Sequence, residues 1–184
     1  MNRKLFIVAV ILQSVFLLTM IARQEILLRT GKKIALKCSA LDPRSLFSGD
    51  YVILNYDISE IDLNVYIPDN KENEQAWQDF SKCDDVFVTL KKNAADDFFS
   101  VSGVSKSYSE HREDDTVVLC GKVESYSPSK KLHVKYGIEN YFVPQEEGRR
   151  IEENMNDIHA EVSVKGKRCA LSKLFHLGVE IKFY

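Results

Sequence analysis

Gly49-Asp50-Tyr51-Val52-Ile53-Leu54-Asn55-Tyr56 follows the loop Asp42-Pro43-Arg44-Ser45-Leu46-Phe47. Gly49 stands at the junction, where a backbone leaving a loop needs the freedom that glycine has. Period-two alternation then assigns sides. Asp50, Val52, Leu54 and Tyr56 share one face; Tyr51, Ile53 and Asn55 share the other. Leu54 and Tyr56 read as core residues, and the Tyr56 hydroxyl needs a partner at the rim. Asp50 places a carboxylate at the mouth of that apolar face. It reads as a clamp that accepts backbone N–H groups of the preceding loop and pairs with Arg44. Tyr51 is the side chain that packing explains least, which makes it the candidate for an external contact.

The same alternation runs through the rest of the chain. Ile34, Leu36 and Cys38 alternate with Lys33, Ala35 and Lys37. Val86, Val88 and Leu90 face one way, and a short strand is expected near residues 98–104. Val117, Leu119 and Val123 oppose Val118, Cys120 and Lys122. Ser127-Pro128-Ser129-Lys130 turns the chain into a return strand carrying Leu132, Val134, Tyr136 and Ile138. Ala160, Val162 and Val164 form one arm of a hairpin, Lys165-Gly166-Lys167 its turn and residues 169–175 the other arm. A final strand covers residues 179–183.

One helix interrupts the strands. Pro144 ends the preceding strand, and Ile151, Met155 and Ile158 then recur at helical spacing after Glu146 and Glu147. Residues 67–85 and 106–115 read as polar loops. The fold expected is mainly β: an N-terminal transmembrane helix, then an antiparallel barrel-like domain of seven to nine strands with one packed helix. Closure into a barrel would hide strand edges.

The N-terminus differs in composition. Arg3 and Lys4 precede residues 5–22, eighteen residues without a charge. As a helix they rise about 27 Å, close to a hydrocarbon core of roughly 30 Å. A cleaved signal peptide is the first alternative and a buried core helix the second, but Met20 is too large for a small-x-small cleavage site ending at Ala22. The expected division is an anchor over residues 1–24 and a soluble domain over 25–184. Arg23, Arg29, Lys32 and Lys33 follow the span, so a bare charge count would hold the domain inside; long domains translocate largely regardless of charge, and export is the preferred reading.

With 25 Lys+Arg, 27 Asp+Glu and a net charge of −2, the chain lacks the basic footprint of a nucleic-acid binder. Cys38, Cys83, Cys120 and Cys169 are scattered and contain no CxxC pair, which argues against structural zinc. Cys38, Cys120 and Cys169 read as small apolar strand residues; export would permit up to two disulfides, with three full pairings. No Gly-rich phosphate loop or dinucleotide fingerprint occurs, and no cofactor or metal is expected. The four histidines are isolated, and the acidic clusters lack the oxygen spacing of a calcium loop. Glu139 stands among Tyr136, Tyr141 and Phe142. A hydrogen bond from a neighbouring tyrosine or backbone group explains it better than a catalytic role.

Residues 49–56 match, letter for letter, the signature of the bacterial GDYXXLXY proteins, which the chain resembles. Those proteins are similar in having one N-terminal span and an Asp-Pro-Arg before the glycine, here Asp42-Pro43-Arg44. They also carry a segment like Tyr136-Gly137-Ile138-Glu139-Asn140-Tyr141-Phe142-Val143-Pro144, followed by Glu147-Gly148-Arg149. The resemblance covers about residues 30–180 and implies a bacterial membrane-anchored protein acting beside a multi-spanning membrane protein. It implies no reaction, substrate or small-molecule ligand.

Two functions follow as expectations. The first is a non-catalytic accessory subunit of an envelope complex in the cytoplasmic membrane, with its domain on the extracytoplasmic side. Residues 49–56 and 136–144 would then form or brace its contact surface. The second is a membrane-anchored hydrolase, because a Gly-Asp strand after a Pro-containing loop is similar to the β domain of type I signal peptidases. Leu41 occupies the position of the serine nucleophile there, Ser39 and Ser45 are out of register, and Lys135 has no serine to activate.

Overall fold

The computed structural model describes residues 3–39, 51–66, 81–109, 115–127, 130–142 and 158–182. Helix α1 spans Arg3–Thr30. It is long and apolar enough to cross a membrane, and its apolar window is not buried against the domain. The helix does not stop where the apolar run stops. Two further turns continue beyond Ala22, held by an Arg29–Glu25 pair one helical turn apart. Leu27 in those turns is buried. The Ser163 hydroxyl donates to the Leu28 carbonyl at 3.3 Å, and the Lys165 ammonium donates to the Thr30 hydroxyl at 2.8 Å. The helix is thus seated on the domain before it enters the first strand.

The strands are β1 (Lys32–Ser39), β2 (Tyr51–Ile53), β3 (Asn55–Tyr56) and β4 (Glu60–Asp62). After a short helix α2 (Leu63–Tyr66) come β5 (Asp85–Lys92), β6 (Phe99–Ser105), β7 (Thr116–Tyr126), β8 (Lys131–Lys135) and β9 (Asn140–Phe142). The last three are β10 (Ile158–Lys165), β11 (Arg168–His176) and β12 (Val179–Glu180). One sheet has the order β12-β11-β10-β1-β3 and a second the order β4-β8-β7-β5-β6; β2 and β9 form a separate two-stranded ladder. All strand pairs are antiparallel. An isolated bridge from Ala35 to Phe98 links β1 to the entry of β6, and a single 3-10 turn at Asp57–Ser59 carries the chain from β3 in one sheet to β4 in the other. The result is a nearly closed, barrel-like antiparallel sheet behind an apolar helix.

The inward residues are those that alternation selects. Ile34, Leu36 and Cys38 on β1, Val86, Val88 and Leu90 on β5, and Leu132 and Val134 on β8 are buried in one continuous core. The hairpin β10–β11 turns at Gly166 and Lys167, with Lys165 opposite Arg168. A bulge at Glu161/Val162 reverses no face, because Ala160, Val162 and Val164 all remain buried.

Four expectations are corrected. Twelve strands occur among the described residues rather than seven to nine, because the backbone changes partner at Leu54 and at Gly137 while burial continues on the same side, and because β4 forms beyond the 3-10 turn at Asp57–Ser59. The return strand ends at Lys135 instead of running to Ile138. Its continuation turns at Gly137, whose φ of +78° lies in the left-handed region. The last strand is shorter, at Val179–Glu180, although Ile181 still donates its N–H to the Leu174 carbonyl at 2.9 Å. Of the helix expected after Pro144, Ile158 is instead the first residue of β10, where it pairs with His176; the rest of that helix and the turn around Trp77 lie outside the described residues.

Candidate functional site

Residues 51–58 and 136–142, far apart in sequence, form one unit. β2 and β9 pair with Tyr51 opposite Phe142, Val52 opposite Tyr141 and Ile53 opposite Asn140. The ladder ends in a backbone bond from Leu54 N–H to the Glu139 carbonyl at 2.7 Å. Leu54 then breaks the strand, and β3 leaves to pair with β1, placing Tyr56 opposite Cys38.

Two tyrosines tie the segments together at this crossing. The Tyr56 hydroxyl donates to the Ile138 carbonyl, and the Tyr136 hydroxyl donates to the Ile58 carbonyl, each at 2.7 Å. Leu54 and Tyr56 are both 1% exposed and Tyr136 is 6% exposed. The two carbonyls accept inside the core, where an unpaired one would be costly. Burial, with Cys38, Glu139 and Cys169 nearby, pushes the Tyr56 phenol far above its ordinary value; burial, then Glu139 and Cys169, does the same for Tyr136. Both remain donors at neutral pH.

Glu139 caps the turn between the tyrosine and β9. Its carboxylate accepts the backbone N–H of Tyr136 at 2.5 Å and that of Gly137 at 2.9 Å. Backbone donors therefore account for this glutamate, as its sequence position suggests. On the other side, the Cys169 thiol donates weakly to the Tyr136 carbonyl at 3.5 Å. Gly121 lies beneath the Tyr136 ring: a Cβ there would stand 2.3 Å from Val134 Cγ1 and 3.1 Å from Tyr136 Cδ1.

Of the residues expected at the site, the structure thus brings together Tyr51, Leu54, Tyr56, Tyr136, Gly137, Glu139 and Tyr141. Tyr141 is half-buried on β9. Asp42, Pro43, Arg44, Gly49, Asp50 and Pro144 lie outside the described residues, and with them the clamp assigned to Asp50. Sequence reading missed the reciprocal tyrosine bonds. Their signal was the repeated Tyr-x-Ile of Tyr56-Asp57-Ile58 and Tyr136-Gly137-Ile138.

The hydrolase constellation does not assemble among the described residues. The Lys135 ammonium is paired with Glu124, which also faces His133 Nε2 at 3.2 Å. Ser39 ends β1 opposite Asn55. The four cysteines are free thiols, three of them within strands as expected and Cys83 in an exposed turn. Burial raises Cys38 and Cys169 to about 12. No described cluster of His, Cys, Asp and Glu has the arrangement of a metal site. Asp84 accepts the Ser81 N–H at 2.8 Å, and Asp96 pairs with Lys37 at 2.7 Å. These acidic groups cap turns and pair with lysines.

The family model for the GDYXXLXY protein matches residues 13–173. No curated protein and no solved structure matches the chain. The match covers most of the chain, including every described residue of the tyrosine crossing, and the chain belongs to the GDYXXLXY protein family.

Proposed function

We propose that the chain is a membrane-anchored, non-catalytic accessory subunit of a bacterial envelope complex. The helix is retained as the anchor in the cytoplasmic membrane, the domain lies on the extracytoplasmic side, and the β2–β9 ladder contacts a multi-spanning protein. One observation carries this reading. The signature residues divide into an inward pair, Leu54 and Tyr56, locked into the core, and a ladder that pairs with no other described strand. Ile53 on that ladder is 37% exposed. A short ribbon braced from behind by two buried hydroxyls is suited to present backbone edges and apolar side chains to another chain. The unbroken helix through residue 22, where a cleavage site would stand, supports retention of the anchor.

Affinity purification of the full-length protein from its own membranes, with a photo-crosslinker at position 53, tests the proposal. A single multi-spanning protein crosslinked at 53, and lost from Ile53→Lys, is the expected result. Recovery of the same proteins with and without Ile53→Lys, and no crosslink, would overturn it.

A further inference from the structure

A groove of about 630 Å³ opens where the last turns of α1 meet the domain, with Tyr136 in its lining. That volume is in the range of small-molecule sites. Its α1 wall is Gln24 and Leu27. The apolar run ends at Ala22, so at 1.5 Å per residue these two stand about 3 and 8 Å beyond it. The headgroup layer of a bilayer is roughly 5–8 Å deep on each side. The groove therefore opens at headgroup level if α1 spans the membrane.

Its charge is not balanced. Five cations line it, Lys82, Lys122, Lys135, Lys167 and Arg168, against the carboxylates of Asp85, Glu124 and Glu139. All three carboxylates are already engaged. Asp85 faces Lys122 at 3.3 Å, Glu124 pairs with Lys135, and Glu139 accepts two backbone N–H groups. Lys82, Lys167 and Arg168 have no carboxylate partner among the described residues. Lys167 is nonetheless restrained: its ammonium lies 5.4 Å from the Phe87 ring centroid and 5.3 Å from that of Tyr108. Beneath these cations the floor is uncharged, formed by Val123, Gly121 and Tyr136 beside Leu27.

We propose that this groove binds the phosphate headgroup of an anionic lipid from the membrane that α1 crosses. Arg168 offers a planar fork to phosphate oxygens, Lys82 and Lys167 supply point charges, and the apolar floor accepts the glycerol and first methylenes. The lipid would pack against both α1 and the Tyr136 turn, fixing the domain's height and tilt on its anchor. The proposal rests on the membrane anchoring proposed above and is independent of the β2–β9 contact.

Cys83 lines the groove and is exposed, so its thiol reports occupancy. The full-length protein is placed in phosphatidylcholine nanodiscs with or without phosphatidylglycerol, and Cys83 alkylation by a neutral maleimide is timed. Phosphatidylglycerol at about ten times its dissociation constant should slow alkylation about tenfold. Lys82→Gln/Lys167→Gln/Arg168→Gln should abolish the protection, and inorganic phosphate with phosphatidylcholine alone should give none. Equal rates with and without phosphatidylglycerol, or protection that survives the triple substitution, would overturn the proposal. Equal protection by inorganic phosphate would overturn the lipid in favour of a soluble phosphate. A chain that fails to co-elute with the disc would instead refute the anchoring itself.

Discussion

Tyr56 and Tyr136 bond reciprocally: each hydroxyl donates, at 2.7 Å, to the carbonyl two residues beyond the other tyrosine. The pair spans the point where the chain passes from one sheet to the other. Tyr56 sits on β3 in the first sheet, and Tyr136 follows β8 in the second. The same pair lies beside the end of the β2–β9 ladder, because the Leu54–Glu139 backbone bond joins the two tyrosine segments there.

Removing either hydroxyl leaves a buried carbonyl without its donor. Tyr56→Phe and Tyr136→Phe should each destabilise the domain by about 1–3 kcal/mol. Because both bonds hold the same two segments, the double variant should depart from additivity by about 0.5 kcal/mol or more. Urea unfolding of the four proteins gives the cycle. Full additivity would mean that the two bonds act separately.

Glu139 makes the turn that delivers Tyr136. Glu139→Gln keeps the shape but replaces one accepting oxygen with a donor amide facing a backbone N–H. A loss of about 1.5–3 kcal/mol is expected, the range for hydrogen bonds to a charged group. Gly137→Ala attacks the same turn through its φ of +78°, with about 1–2 kcal/mol expected from the left-handed backbone alone. Denaturant midpoints that stay unchanged in both variants would show that the turn does not depend on the carboxylate cap.

Much of the barrel was legible because alternation reports burial directly. Ile34, Leu36 and Cys38, the Val86–Val88–Leu90 face and the Gly166 hairpin all stand where the pattern puts them. The pattern does not report which strand pairs with which. Leu54 and Ile138 keep the inward alternation of their segments while the backbone beside each exchanges one neighbour for another. Two strands in the structure therefore read as one in the sequence. Polarity likewise ended the expected span at Ala22, although Arg23, Gln24, Glu25 and Arg29 are helix-compatible and the helix runs on to Thr30. The site was legible as two segments. Their meeting was not, because it depends on a contact between residues about 80 positions apart, which no local pattern encodes.

Gly121 tests how closely the Tyr136 ring is packed. A methyl at this position would stand 2.3 Å from Val134 Cγ1, and Val134 is fully buried. Gly121→Ala should cost about 1–3 kcal/mol as the core shifts to admit it. Gly103→Ala is the control, since its Cβ would meet only Thr89 Cβ at 3.9 Å. Thermal melts should separate the two variants by several degrees, and equal melting temperatures would show that the Tyr136 face is loosely packed.

The thiols should react in a fixed order. Cys83 is exposed, whereas burial raises Cys38 and Cys169 to about 12 and also raises Cys120. The thiolate is the nucleophile, so at pH about 8 a thiol titrating near 12 is ionised in only about one molecule in ten thousand. Mass spectrometry of the native protein should find one fast alkylation, removed by Cys83→Ser. Fast labelling of Cys38 or Cys169 would show that the core opens.

His159 gives the domain a pH dependence of known sign. Its ring stacks on Phe175 at 5.0 Å between centroids and meets Phe98 edge-on at 5.3 Å. Burial lowers its value from the ordinary 6.5, while the unfolded chain titrates near that ordinary value. Between the two, the unfolded state binds more protons, so stability rises with pH. The contribution is complete above 6.5 and is lost as pH falls through the lowered folded value. Carboxylates held low by lysines, such as Glu60 by Lys131, Asp96 by Lys37 and Glu180 by Lys173, lose their contributions only below their own ordinary values of 3.8 to 4.5. The urea midpoint should therefore fall between about pH 7 and pH 5 in the wild type, and His159→Phe should flatten that window while leaving the acid limb below it in place. An unchanged slope in the variant would mean that the imidazole is protonated equally in the folded and unfolded chains.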